Sequence, residues 1–181
     1  MNNFKNLTNL DIKYFGSIKD EKALLEKINF IIKRIDSLRF YLIIAETNTS
    51  QIKGISAAGI NSKERRKTAL ADAEFLLFGP NKNFKYSLPI LSAGVSPAVI
   101  SFACAKLLGA AFKIVPIGTS QIPYFRHLSI ERVKYGPSNC LSSGNAMPKI
   151  RVKNLYERGL SIGLSSKQPI FICESVPGGT T

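Results

Sequence analysis

An uninterrupted apolar run, Phe40-Tyr41-Leu42-Ile43-Ile44-Ala45, is the sequence feature that most constrains the fold of this chain. The run has the length of a strand and lacks the alternation of polar and apolar residues that a half-exposed strand shows. Runs of this kind are typical of strands that are buried on both faces in parallel sheets. We therefore predict a buried strand at residues 40–45, which requires further strands beside it.

Further short apolar runs fit the same sheet, at residues 88–92, 112–117 and 170–173. Helical patterns separate most of them: a helix capped by Asp20 that runs to about Ser37, a helix over residues 68–78, a helix from Ser96-Pro97 to Gly109, and a helix opened by Pro148. This alternation predicts an α/β fold with a Rossmann-like, open, mostly parallel sheet and flanking helices. We predict one domain over residues 1–181, with residues 1–19 as a peripheral arm.

Composition excludes several classes of protein. The chain has 181 residues, is 45% hydrophobic and carries a formal charge of +13, so disorder is not indicated. Its basic residues are spread along most of the chain, and only Lys63-Arg65-Arg66-Lys67 form a tight cluster. A generally basic proteome or an anionic small substrate explains this charge as well as a nucleic acid does, and we do not expect a nucleic-acid partner. No signal-peptide core and no apolar run near the ~20 residues of a membrane span is present, so we expect a cytoplasmic protein with no membrane partner.

Residues that bind metals or form disulfides are few. The three cysteines, Cys104, Cys140 and Cys173, lie far apart and are interpreted as reduced thiols. The only histidine, His127, has no partner at ligand spacing, so we interpret it as structural. The sequence therefore predicts no metal site.

Small and polar residues follow the first predicted strand. Glu46-Thr47 comes directly after it, and Gly54, Ser56 and Gly59 follow in a segment of small residues. Ligands of open α/β sheets bind outside the carboxyl ends of the strands, so these residues are candidates for lining a pocket. A tight connection punctuated by glycine is an equally good interpretation.

Other polar residues are harder to assign. Asp72 and Glu74 are interpreted as solvated acids near a helix start. The segment that holds Ser143 and Gly144 either lines a pocket or forms a plain loop.

The last stretch of the sequence has the pattern of a phosphate-binding loop. A predicted buried strand at 170–173 is followed by Glu174, and then by Gly178-Gly179-Thr180-Thr181. Glycines let backbone N–H groups approach a phosphate closely, and such loops normally open a helix whose dipole holds the anion.

Together these motifs resemble a known family. They occur in the order Glu46-Thr47, Gly54 to Gly59, Ala71 to Glu74, Ala93 to Pro97, Ser143 to Pro148, and Glu174 with Pro177 to Thr181. This combination is similar to the uncharacterised, largely cyanobacterial and archaeal branch of the nicotinate-nucleotide:dimethylbenzimidazole phosphoribosyltransferase family. The resemblance covers about residue 40 to the end.

The resemblance implies a Rossmann-like fold, a homodimer and a reaction without a cofactor. Phosphoribose would move from nicotinate mononucleotide to a benzimidazole-type base, in the pathway that makes the lower ligand of cobalamin. Carried over by position, Gly178, Gly179, Thr180 and Thr181 would hold the 5′-phosphate, and Glu174 would steady the ribose as its bond breaks. The pocket-lining residues would be Glu46, Thr47, Gly54, Ser56, Gly59, Ser96, Ser143 and Gly144.

The sequence also departs from the family pattern. Cys173 stands where relatives usually have glycine, and Lys53 where many have proline. Relatives continue well beyond this point and carry the general-base glutamate there, so we expect a truncated transferase that is weakly active or inactive alone. The alternatives are a non-catalytic nucleotide-binding or dimerisation remnant of the fold, and an unrelated basic protein that binds RNA. An uncovered sheet face predicts self-association.

Overall fold

The computed structural model describes residues 20–56, 58–59, 61–80, 83–88, 96–129 and 136–178. The chain forms two compact units, residues 1–33 and residues 34–181. The predicted arm at residues 1–19 lies outside the described residues, and the assignment of a single domain stays a prediction. Within the described ranges, no helix is both long enough and apolar enough to cross a membrane.

The first unit contains helix α1, Glu21–Ile32. It begins as predicted, because the Asp20 side chain accepts a hydrogen bond from the N–H of Ala23 at 2.9 Å. It ends earlier than predicted: Ile35–Ser37 forms a separate 3₁₀ turn in the second unit. There the Ser37 hydroxyl and N–H both donate to the carbonyl of Arg34, and a serine that bonds locally in this way competes with helical hydrogen bonding.

The second unit is built on a parallel sheet. Strands β1 (Arg39–Ala45), β2 (Phe112–Gly118) and β3 (Ile170–Ser175) are arranged in the order β2-β1-β3, and both pairings are parallel. With flanking helices, this confirms the predicted α/β fold. The further strand predicted at 88–92 lies, apart from Leu88, outside the described residues.

Three helices accompany the sheet: α2 (Ser62–Phe78), α3 (Pro97–Leu108) and α4 (Lys149–Ser165). Helix α2 begins six residues before the predicted start at 68, because Asn61 caps it by accepting from the N–H of Glu64 at 3.0 Å. The predicted start of α3 at Ser96-Pro97 and its end at a left-handed Gly109 are confirmed. Pro148 precedes α4, as predicted.

Helix α2 covers one face of the sheet with small and apolar side chains. Residues of α2, β1 and β2 form a buried cluster with two aromatic residues from the loops: Leu42, Ile44, Ala69, Leu70, Ala71, Ala73, Tyr86, Ile114 and Phe125. Cys173 of β3 packs against the same cluster. The alanines bring the α2 backbone close to the strands, so this face of the sheet is well covered.

The interpretation of Asp72 and Glu74 as solvated acids near a helix start is wrong. Because α2 begins at Ser62, both residues lie well inside it; Glu74 is 0% exposed, and Asp72 is half-buried. The Glu74 carboxylate accepts from the N–H of Lys85 at 3.0 Å, from the N–H of Tyr86 at 2.7 Å and from the Tyr124 hydroxyl. Glu74 therefore fixes the connection after α2.

The prediction that β3 is buried on both faces is also wrong. Phe171 and Ile172 are 51% and 61% exposed, although Cys173 packs against the core. Among the described strands β3 lies at one edge of the sheet, so it has one neighbouring strand, whereas β1 has two. An apolar sequence shows that a strand can be buried, but it does not show which other part of the protein covers the strand.

We predict that Glu74→Ala destabilises the protein by about 1–3 kcal/mol, because it leaves the buried N–H of Tyr86 without its acceptor. The partly buried N–H of Lys85 loses its acceptor as well. Urea unfolding monitored by circular dichroism measures this loss. Glu157→Ala is the control, because Glu157 pairs with Lys153 on the surface at 3.8 Å and such pairs contribute about 0–1 kcal/mol. Equal losses in the two variants would contradict the structural role of Glu74.

Candidate functional site at the carboxyl edge of the sheet

The carboxyl ends of all three strands meet at one edge of the sheet. This follows from their parallel pairing, in which Ala45 lies opposite Gly118 and Ile44 lies opposite Ser175. Immediately after β1, the N–H of Glu46 donates to the carbonyl of Gly118, and its carbonyl accepts from the N–H of Ser138, both at 3.0 Å. The backbone of Glu46 is therefore held between the end of β2 and residue 138.

The side chain of Glu46 is the most unusual group at this edge. It is only 3% exposed, and among the described residues neither carboxylate oxygen has a hydrogen bond of normal geometry. Burial raises its pKa; the hydroxyl and N–H of Ser120 and the charge of Arg66 offset that rise in part. A buried carboxyl with a raised pKa at a strand end is a common feature of ligand-binding and proton-transfer sites.

Thr47 begins a hydroxyl-rich turn beside Glu46. The turn, Asn48–Gln51, is a short 3₁₀ helix in which the Thr47 hydroxyl accepts from the N–H of Thr49 at 3.1 Å. The Ser50 hydroxyl donates to the carbonyl of Thr47 at 2.8 Å, and both Thr49 and Ser50 are buried. We refer to residues 48–51 as the 48–51 turn. The hydroxyl and carbonyl of Thr47 therefore form hydrogen bonds within this turn and stabilise it.

A second turn, Leu141–Ser143, is attached to the 48–51 turn. The N–H of Leu141 donates to the hydroxyl of Thr49 at 2.9 Å. Ser143 and Gly144 follow on the exposed side of this turn; the Ser143 hydroxyl donates to the carbonyl of Cys140 at 2.7 Å. Ser143 and Gly144 therefore lie in an exposed loop next to the 48–51 turn.

Gly178 brings the chain after β3 back to the same place. Its φ is +76°, and a Cβ at this position would lie 2.8 Å from the backbone nitrogen of Ser50. A side chain would therefore be strained by the backbone conformation and would also collide with the 48–51 turn. Of the four predicted phosphate-binding residues, only Gly178 is described; Gly179, Thr180 and Thr181 lie outside the described residues.

Glu174 is placed differently from Glu46. It lies opposite Ile43 in the register of the sheet, and its side chain is exposed. Its neighbours Cys173 and Ser175 face α2, because Cys173 packs on the core and Ser175 bonds to a residue of α2. Alternation along the strand therefore directs Glu174 to the other face.

Ser96 is tied to the end of β3 through Asp72. The Asp72 carboxylate accepts from the Ser175 hydroxyl at 2.7 Å and from the Ser96 hydroxyl at 3.3 Å. Burial raises the pKa of Asp72, and the hydrogen bonds of Ser175 and Ser96 offset part of that rise. Ser96, predicted to line the pocket, is 6% exposed and links the start of α3 to the sheet.

The loop before α2 is fixed by a buried arginine. Arg65 is 7% exposed; its Nε donates to the carbonyl of Ser50 at 2.6 Å, and its Nη1 donates to the carbonyl of Gly59 at 3.2 Å. Gly59 lies directly against Arg65, which explains its lack of a side chain. Gly54 has a φ of +79° in open space, and the Ser56 hydroxyl accepts locally from the N–H of Ala58 at 3.2 Å.

Three residues of this site were not found from the sequence: Arg65, Asp72 and Ser120. The position of Ser120 could have been predicted, because it lies two residues after the end of β2 and the carboxyl ends of parallel strands meet at one edge of the sheet. Arg65 stood in a basic cluster and gave no sign that it would be buried. No group of three acidic, histidine or cysteine side chains suited to a metal ion occurs among the residues that the structure describes.

We predict that Glu46→Gln stabilises the protein at neutral pH. The folded state raises the pKa of Glu46 above its ordinary value of 4.5, so ionisation of this carboxyl lowers the free energy of unfolding as pH rises through the raised pKa. The variant should therefore exceed the wild type at pH 7, and the advantage should shrink as pH falls towards 4.5. Urea unfolding between pH 4 and 8 tests this, and a pH-independent difference would contradict it.

Several curated proteins are similar to this chain. It is 60% identical over 172 residues to a UPF0284 protein of Prochlorococcus marinus strain MIT 9215, a match that covers 95% of this chain and 45% of the relative. It is 42% identical over 145 residues to a UPF0284 protein of Parasynechococcus marenigrum strain WH8102, covering 80% of the chain and 37% of the relative. A UPF0284 protein of Gloeothece citriformis strain PCC 7424 is 40% identical over 147 residues, covering 78% and 39%.

No family model matches the sequence. The chain spans about half the length of the curated relatives it matches, or 45% in the case of the Prochlorococcus marinus protein. Over that part of their length, the chain is a family-level match to the UPF0284 proteins of cyanobacteria.

Proposed function

We propose that this chain is part of a phosphoribosyltransferase that moves phosphoribose from nicotinate mononucleotide to a benzimidazole-type base, acting as a cytoplasmic homodimer. The proposal starts from the resemblance of its motifs to that transferase family. The observation that carries it is the meeting of Glu46, the 48–51 turn and Gly178 at one edge of a parallel sheet. Strand ends of this kind are where α/β folds bind nucleotides.

The proposed reaction needs few catalytic groups. The bond between ribose C1′ and the pyridinium nitrogen breaks, and its electron pair returns to that nitrogen, so nicotinate leaves with a neutral ring. The lone pair of one ring nitrogen of the acceptor base forms the new bond to C1′, and the N–H proton of its other ring nitrogen passes to a carboxylate that acts as general base. The protein must mainly hold the phosphate and the acceptor in register and exclude water.

The described residues support particular roles in this reaction. The buried carboxylate of Glu46 has Ser120 beside it but no hydrogen bond of normal geometry among the described residues. The ring N–H of a benzimidazole is a hydrogen-bond donor, and we assign Glu46 to that contact. Glu174, which is exposed at the end of β3, is assigned to the ribose. Gly178 lets the turn that leads to residues 179–181 lie against the 48–51 turn, where the 5′-phosphate would bind.

A non-catalytic nucleotide-binding remnant is the second candidate. The chain spans 45% of the Prochlorococcus marinus relative. In the transferase family that the motifs resemble, the glutamate that takes the proton from the acceptor lies in a part with no counterpart here. Such a chain would bind nicotinate mononucleotide without releasing nicotinate.

Two measurements separate these functions. Isothermal titration calorimetry of the chain with nicotinate mononucleotide reports binding, and chromatography after addition of 5,6-dimethylbenzimidazole reports free nicotinate. Binding with nicotinate release that depends on the base supports the transferase, and binding without release supports the remnant. Absence of binding would overturn both.

We predict that Gly178→Ala weakens binding of nicotinate mononucleotide at least tenfold, or by about 1.4 kcal/mol. The new Cβ would lie 2.8 Å from the backbone nitrogen of Ser50, so the two turns must separate. Calorimetric titration measures the change in affinity.

Gly109→Ala is the matched control for this variant. Gly109 has a φ of +60°, and a Cβ there meets nothing within 4 Å, so its replacement adds backbone strain without a collision. We expect Gly109→Ala to lower stability by about 1–2 kcal/mol and to leave the affinity unchanged. Equal losses of affinity in the two variants would contradict a role of Gly178 at the binding site.

A further inference from the structure

Helix α4 carries apolar side chains that are exposed to solvent. Val152, Tyr156, Leu160 and Leu164 are 50%, 71%, 50% and 80% exposed, and they recur at every fourth position. At about 100° of rotation per residue they form one continuous stripe that winds slowly around the helix. Single exposed apolar residues are ordinary, but a stripe along most of a helix marks a contact surface.

Two glycines lie beside this stripe. Gly159 and Gly163 are also four residues apart, and a Cβ at either would meet nothing within 4 Å. Glycine is among the least favourable residues inside a helix, and here no described neighbour requires it. Small residues at this spacing let the backbone of a second helix approach closely, while flanking larger side chains pack around it.

Another side of α4 is held against the rest of the second unit by Arg151. Arg151 is 8% exposed, and its Nη2 donates to the carbonyl of Gly136 at 2.8 Å and to that of Ile117 at 3.3 Å. By its helical position, Arg151 lies about 80–140° from the two glycines and most of the stripe. The helix is therefore anchored on one side and leaves the glycine side open.

The sheet shows a similar gap. Ile172 of β3 is 61% exposed and lies on the face opposite α2, since its neighbour Cys173 packs on the α2 side. Apolar surface thus remains on the side of the sheet that α2 does not cover.

We propose that the flank of α4 formed by Gly159, Gly163, Tyr156 and Leu160 is the docking surface for a helix of the kind encoded in the part of the Prochlorococcus marinus relative that lies outside its match to this chain. The matched 172 residues make up 45% of the Prochlorococcus marinus relative, so more than half of that protein has no counterpart here. A helix seated on the two glycines would cover the stripe. This docking does not depend on the proposed transferase activity.

The test compares the chain with a chimera in which it replaces the matched segment of the Prochlorococcus marinus relative. Gly159→Leu is made in both, and thermal unfolding is monitored by circular dichroism. In the chain alone, leucine favours the helix and its side chain enters open space, so Tm should stay equal or rise. In the chimera, the same side chain should block the docked helix and lower Tm by several degrees.

Ser161→Leu is the matched control, because it adds the same side chain to an exposed position outside the stripe. We expect its Tm change to have the same sign and size in the chain and in the chimera. Should the chimera be insoluble, co-expression of the tagged chain with the relative's remaining segment gives the second measurement. The segment should co-purify with the wild type and with Ser161→Leu, and Gly159→Leu should lose it.

Two results would overturn the proposal. One is a Gly159→Leu effect of the same sign in the chain and the chimera, or undiminished co-purification of the segment with that variant. The other is a homodimer of the chain alone, seen by sedimentation velocity, that Gly159→Leu dissociates and Ser161→Leu does not. That result would assign the surface to a second copy of this chain.

Discussion

Parallel pairing on both sides of β1 is the constraint on which the rest of the second unit depends. At the amino end of the strand, the Phe40 ring lies 5.5 Å from those of both Phe112 and Phe171, so an aromatic row fixes the three strands against one another. With the register set there, the carboxyl ends must meet at the opposite edge. Glu46 and Gly178 are neighbours of the same turn for this reason, although 132 positions separate them in the sequence.

Three buried or half-buried acidic side chains lie close to this sheet, and they differ in the hydrogen bonds that they receive. Glu74 is fully enclosed and receives three hydrogen-bond donors, two of them backbone N–H groups, so its burial has a structural explanation. Asp72 receives two serine hydroxyls that join α2 to α3 and β3. Glu46 is 3% exposed, nearly as inaccessible as Glu74, and its oxygens lack a hydrogen bond of normal geometry among the described residues. Since burying an unpaired carboxyl costs free energy, Glu46 is the acid for which a ligand gives the best explanation.

Local sequence signals predicted the local features of this chain well. The α/β class and the starts of the helices at Asp20, Ser96 and Pro148 follow from hydrophobic runs and capping residues, which act within a few positions. The predictions that were wrong concerned burial, which depends on residues far away in the sequence. Glu74 is buried because the 85–86 backbone happens to present two N–H groups to it. Phe171 is exposed because no second described strand lies beyond β3. Neither condition is visible in the residues nearby.

The two sides of the sheet differ in how much of their packing this chain supplies. On the α2 side, the alanines of the helix, Leu42 and Ile114 form a core that is complete enough to bury an acid with all its donors. On the other side, Ile172 of β3 stays 61% exposed. The strand ends therefore take their positions from the core on the α2 side, which lies within this chain. The edge of the sheet at which Glu46 and Gly178 meet is thus positioned by residues that this chain supplies, although the chain spans about half the length of the curated relatives it matches.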